Sequence, residues 1–163
     1  MKFECLYPFL ESKFYNKGLN DKFWTGNKFN PDIRKKLLAI VNDFVCDREC
    51  TKNNDSDITI EDIQLTGSLS NYNYTKFSDL DVHILVDFSK INEDIDLVKD
   101  ALDGKRFIWN QRHSIIIRGH EVETYYQDIN EPHIASGLYS ILKDEWITVP
   151  KYDPPEVDER DVY

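Results

Sequence analysis

Ile33, Leu37, Ile40, Val41 and Phe44 recur at three- and four-residue spacing, the period of an amphipathic helix. Asn30-Pro31 stands before them, an N-cap followed by the residue best suited to the first helical position. A helix is therefore expected from Asn30-Pro31 to about Cys46. Ile58 to Leu65 alternates as a strand does, and Leu80 to Phe88 reads as the next strand. The unbroken Ile84-Leu85-Val86 suggests burial on both faces, as in a sheet covered by helices. A second helix is expected from near Asn92, carrying Ile95, Val98, Ala101 and Leu102 until Gly104 as its C-cap. Residues 105–112 are ambiguous, with continuation as helix after a break as one reading. Ser114 to Gln127 reads as two strands around an Arg118-Gly119 turn, and Gly137–Ser140 with Trp146–Val149 as a further short pair.

The ends of the chain are less periodic. Residues 1–29 carry Phe3, Tyr7, Phe9, Phe14, Tyr15, Phe23 and Trp24, which implies a segment packed onto the domain; Gly18-Leu-Asn-Asp and Thr25-Gly-Asn read as turns. Residues 150–163 hold three prolines together with Asp153, Glu156, Asp158, Glu159 and Asp161, an acidic tail expected to be extended on the surface or disordered. The expected fold class is α+β, a small mixed β-sheet packed by helices, forming a single domain over residues 1–149.

Composition narrows the setting. A chain of 163 residues, 40% hydrophobic, suits one globular domain with a real core. No apolar run approaches the roughly 18 residues that suggest a membrane span, and the Glu and Pro in the first ten residues make a poor signal peptide. Three cysteines give no disulfide framework, so reduced thiols and a cytoplasmic location are expected. Cys46 and Cys50 lie four apart, without a second His or Cys pair in support of a metal site. The net charge of −10 is uneven: residues 12–36 hold seven basic residues against Asp21 and Asp32, a local +5, which leaves −15 for the remainder. That balance disfavours non-specific binding to nucleic acid. The basic segment reads as a solvated face, with a phosphate-docking patch as the alternative.

The chemistry concentrates between Leu65 and Val86. Gly67-Ser68 follows a strand, where a Gly lets backbone N–H groups approach a phosphate and Ser adds a hydroxyl. After ten intervening residues come Asp79 and Asp81, one residue apart at the head of an apolar run. In an extended chain their side chains share a face. Two such carboxylates repel unless a cation lies between them, and Mg²⁺ is typically shared between one or two carboxylates and substrate phosphates. An EF-hand loop fails, because His83 and Ile84 occupy the third ligand position and the glycine position. The Asp-x-Asp of a dehalogenase-type phosphatase follows its apolar strand, whereas here the apolar run comes after. His83 shares the predicted face of the aspartates, and either lines the cleft or is a buried, hydrogen-bonded histidine. Tyr72 and Tyr74 are candidates for stacking on a base.

Gly67-Ser68, ten residues and Asp79-Leu80-Asp81 together resemble the signature of the polymerase-beta-type nucleotidyltransferase superfamily, over roughly residues 31–127. The resemblance implies a small mixed sheet packed by helices and a third acid on a later strand. Glu121-Val122-Glu123-Thr124 supplies it: Glu123 by alignment, Glu121 as the fallback, with Glu standing where that family carries Asp. Residues 121–146 are also similar to small nucleotidyltransferase-like proteins of tailed phages. The resemblance further implies transfer of a nucleoside monophosphate from an NTP to a hydroxyl acceptor, with release of pyrophosphate. The acceptor would be a small molecule, a protein or an RNA end. Asp79, Asp81 and Glu123 would hold Mg²⁺ or Mn²⁺; Gly67 and Ser68 would bind the triphosphate. Lys76, the nearest cation in sequence, would touch a phosphate or remain a solvated loop lysine. The chain has no large substrate domain after this core, so a homo-oligomer or protein partner would complete the cleft. The alternative is a non-catalytic nucleotide-binding or protein-interaction module on the same fold, antitoxin-like or directed at a phage host.

Overall fold

The computed structural model describes residues 15–46, 58–131 and 133–154. Strands β1 (Trp24–Thr25) and β2 (Lys28–Phe29) form a small hairpin that leads into helix α1 (Pro31–Val45). Strand β3 (Ile60–Thr66) ends in a single 3-10 turn at Ser68–Ser70, and β4 (Leu80–Val86) follows. Then come α2 (Phe88–Ile91), α3 (Ile95–Arg112), β5 (Ile116–Ile117), β6 (His120–Asp128), β7 (Leu138–Ser140) and β8 (Glu145–Thr148). Six strands make one sheet in the order β5-β6-β4-β3-β7-β8. β4 and β6 are parallel and every other pair is antiparallel, so the sheet is mixed and the class is α+β.

Local chemistry sets the element ends. The Asn30 side chain accepts from the N–H groups of Asp32 and Ile33, and so opens α1. Two boundaries differ from expectation. β4 stops at Val86 instead of reaching Phe88, because Asp87 turns the chain and accepts from the N–H of Ser89 at the start of α2. Helix α3 starts at Ile95, capped by Asp94, and runs through Gly104 to Arg112 without a break. Its buried face, Val98, Leu102, Lys105 and Trp109, continues past the glycine. Trp109 packs edge-on against Phe44 of α1 at 5.4 Å. Burying an aromatic of that size outweighs the penalty of about 1 kcal/mol for a mid-helix Gly.

The sheet has two unlike faces. Leu80, Val82, Ile84 and Val86 alternate with less buried residues along β4, and β6 shows the same alternation. The apolar face meets α1 and α3: Phe44, Trp109 and Tyr126 join there, and Lys105 lies beneath them with its ammonium on the Val45 carbonyl. The other face is polar, with Asp62, Gln64 and Thr66 on β3, Asp81 and His83 on β4, and Glu123, Tyr125 and Gln127 on β6. The expected burial of Ile84-Leu85-Val86 on both faces is thus corrected: Leu85 is only half-buried, because one layer of helices covers one face. Asp62, inside the polar face, is satisfied by Ser140 Oγ, Gln64 Nε2 and the N–H of Ile63.

The segment before α1 joins the core through Phe23, Trp24 and Phe29. Trp24 stacks on Trp146 at 4.6 Å and gives its indole N–H to the Leu69 carbonyl. The expectations for residues 1–14, for Cys50 and for the tail beyond residue 154 lie outside the described residues. Among the described residues no helix is long and apolar enough to cross a membrane.

Two glycines test this arrangement in opposite directions. A Cβ at Gly104 meets open space, so Gly104→Ala should raise stability by about 0.5–1 kcal/mol. A Cβ at Gly137 would press on the backbone carbonyl of Ser70, so Gly137→Ala should lower it by about 1–3 kcal/mol. Denaturant melts of both variants measure this; the opposite order would contradict the placement of α3 and of the chain before β7.

Candidate functional site

Strand register builds a row of polar side chains across the sheet. Thr66 on β3 faces Asp81 on β4, and Asp81 faces Glu123 on β6; one step inward the row is Gln64, His83 and Tyr125. Asp79 stands just before β4, and Glu121 near the start of β6. One carboxylate oxygen each from Asp79, Glu121 and Glu123 lie within 4.8 Å of one another. Asp81 is outside that trio but within its electrostatic reach, with its carboxylate leaning on Gly67. The structure therefore brings Asp79, Asp81 and Glu123 to one end of the polar face. It places Glu121 there as well, more exposed than the other three.

Gly67 fits this position for two reasons. Its φ of +81° lies where side-chain-bearing residues are strained, and a Cβ there would collide with Asp81 Oδ2. The chain then makes the 3-10 turn, with Ser68 Oγ donating to Ser78 Oγ at 2.7 Å. Ser78 Oγ also accepts from the N–H of Thr75, so the loop closes on itself. The segment before β1 holds the loop from outside: the Asn16 amide donates to the carbonyls of Tyr72 and Tyr74. Tyr74 gives its hydroxyl to the Gly18 carbonyl, while Tyr72 packs against Tyr15 and Tyr152. A cleft of about 280 Å³ opens beside the turn, lined by Thr66, Gly67, Ser68, Asn71, His133 and Ser136. Lys76 is not in it. Its ammonium lies over the exposed Phe77 ring at 4.9 Å, on a larger cleft of about 680 Å³ shared with Lys22, Asn20 and His120.

The acids feel one another. Burial, then Glu123, then Asp79 push the Asp81 carboxyl up to about 6, with Arg106 opposing. Burial and then Glu123 raise Asp79, against the pull of His120. His120 is buried beside Phe23, with Nδ1 2.6 Å from the Ser78 carbonyl. The Tyr125 hydroxyl donates to Glu123 Oε2. His83 takes the hydrogen-bonded role, with Nδ1 2.8 Å from Gln127 Oε1 and the ring beside Tyr125 and His133. Burial lowers its pKa. An all-carboxylate oxygen donor set suits a hard divalent cation such as Mg²⁺ or Mn²⁺, and the raised pKa values are the strain such a cation would relieve. The residues present fit the metal.

Arg106, Tyr125 and His133 escaped the sequence reading. Tyr125 was legible as the residue two beyond Glu123 on one strand face. Arg106 was hidden by taking Gly104 as the end of the helix, and His133 by a loop with no motif.

Asp81 supplies a pH test. Its carboxyl keeps a proton up to about pH 6 in the folded chain but releases it near 3.8 when unfolded. Between those values the folded state binds more protons, so stability falls as pH rises through the window. Without added metal, Asp81→Asn should melt above the parent protein at about pH 7.5, with the gap closing near pH 4. A gap that does not change with pH would contradict the burial of Asp81 beside Glu123 and Asp79.

The chain matches no protein-family model, no curated protein and no solved structure.

Proposed function

We propose that this protein is a metal-dependent nucleotidyltransferase that moves a nucleoside monophosphate from an NTP to a hydroxyl acceptor. The observation that supports it best is Asp81 set opposite Glu123 on two parallel strands and against Gly67, with carboxylate oxygens of Asp79, Glu121 and Glu123 clustered beside it. A carboxylate trio alone is common on protein surfaces. One placed next to a left-handed glycine, a serine hydroxyl and a cleft is suited to a metal that carries phosphates.

In this reading Asp79, Asp81 and Glu123 hold Mg²⁺ or Mn²⁺, with Glu121 at the outer edge. A metal held there would supply positive charge for the leaving pyrophosphate and for ionisation of the acceptor hydroxyl. The side chains and backbone do the rest. Gly67 leaves its backbone open to a phosphate oxygen, and Ser68 exchanges its Ser78 partner for another. Glu123 has one oxygen satisfied by Tyr125 and the other available to take the acceptor proton. The new bond joins the acceptor oxygen to the α-phosphorus as the bond to the bridging oxygen of pyrophosphate breaks, and in-line positioning supplies most of the acceleration. The fold is nucleotidyltransferase-like in this reading, and a reaction that draws on the NTP pool suits a cytoplasmic protein. The acceptor is a small molecule, a protein or an RNA end, and a second copy or another protein completes the cleft.

A binding-only role is the second reading. The observation in its favour is the Tyr125 hydroxyl held on Glu123, which leaves a single oxygen to serve both the metal and the acceptor proton.

Asp79→Asn and Asp81→Asn should each lower transfer of labelled NMP by about 10²-fold or more while the fold persists. Glu123→Gln should lower it far more than Glu121→Gln. NTP binding with no transfer to any acceptor supports the binding-only role. Full activity in both aspartate variants contradicts the site.

A further inference from the structure

Arg106 is a guanidinium with five N–H donors and little for them to do. Among the described residues it forms no ion pair, and its buried Nε has no hydrogen-bond partner. Such a group in a half-buried position normally finds an acceptor. Its placement is nevertheless well defined. The next residue back, Lys105, is anchored on the Val45 carbonyl beneath Phe44 and Tyr126, which fixes this turn of α3. Arg106 itself lies over the Tyr125 ring, with Cζ 3.8 Å from the centroid. Tyr125 and Tyr126 are adjacent on β6 and point to opposite faces of the sheet. Lys105 thus serves the apolar face and Arg106 the polar one, beside the acids. The Arg106 charge acts on Asp81, His83 and Tyr125, which places it within electrostatic range of the acid row.

We infer that Arg106 is a phosphate-binding residue, whose free donors receive oxygens of the triphosphate when the nucleotide enters beside the acid row. This deepens the nucleotidyltransferase reading and rests on it. The chemistry is specific. A planar fork of N–H groups matches two phosphate oxygens at once, whereas an ammonium presents a point charge. Stacking on Tyr125 holds the plane of the fork before the ligand arrives, so little side-chain freedom is lost on binding. Four carboxylates would otherwise repel a polyanion, and a divalent cation alone leaves part of that repulsion in place.

The test is binding, measured by calorimetry with non-hydrolysable analogues of each common NTP and with inorganic tripolyphosphate, all with Mg²⁺. Arg106→Gln should bind at least about tenfold more weakly than the parent chain, and Arg106→Lys should recover only part of the loss. Binding of Arg106→Gln within twofold of the parent chain overturns this inference and leaves the nucleotidyltransferase reading standing. A parent chain that binds none of the probes overturns both. A second measurement needs no variant: phenylglyoxal labelling of Arg106 in the parent chain, mapped by peptide mass, should slow when tripolyphosphate and Mg²⁺ are present. Labelling at an unchanged rate while the probe is bound counts against the assignment.

Discussion

The parallel pairing of β4 with β6 is the constraint on which the rest depends. It sets Asp81 opposite Glu123 and, one row inward, His83 opposite Tyr125. A shift of one residue would turn these side chains into the helix-covered face, where Val82, Ile84, Val122 and Tyr126 are buried. Hydrophobic burial on one face therefore fixes the position of carboxylates on the other. The core supplies the work needed to hold like charges together, and burial first, then Glu123 and Asp79, raise the Asp81 carboxyl.

A second layer keeps the turn after Gly67 in place. Gly67 admits the Asp81 carboxylate, Trp24 holds Leu69, and Asn16 holds the far side of the loop. The residues before α1 thus support the site without entering it. The same economy appears in α3, whose neighbouring residues Lys105 and Arg106 serve opposite faces of the sheet. Helix, strand and loop thus each contribute to the surroundings of the acid row.

Much of this was legible in the chain. The α1 period, the Asn30 cap, the β3 and β4 patterns and the Arg118-Gly119 turn predicted elements that the structure contains, with ends shifted by one to a few residues. Asp79 and Asp81 stood out because two carboxylates before an apolar run are uncomfortable without a cation. What sequence could not weigh was tertiary compensation. Gly104 reads as a helix stop until Trp109 is seen packed on Phe44, and only then does Arg106 fall on a continuous helix beside Tyr125. The unbroken Ile84-Leu85-Val86 likewise reads as buried on both sides, because periodicity cannot tell a half-buried Leu85 from a covered one. Lys76 is near the acids in sequence, yet the loop fold sets it over Phe77 on another cleft.

For this chemistry to operate, the acid row must bind a divalent cation together with a nucleotide. Electron paramagnetic resonance of Mn²⁺ tests that requirement, with and without a non-hydrolysable NTP. Adding protein should remove the free-ion signal, with tighter binding in the presence of nucleotide and weaker binding in Asp81→Asn. An unchanged free-ion signal with protein and nucleotide together, or equal binding by Asp81→Asn, would contradict the proposed site.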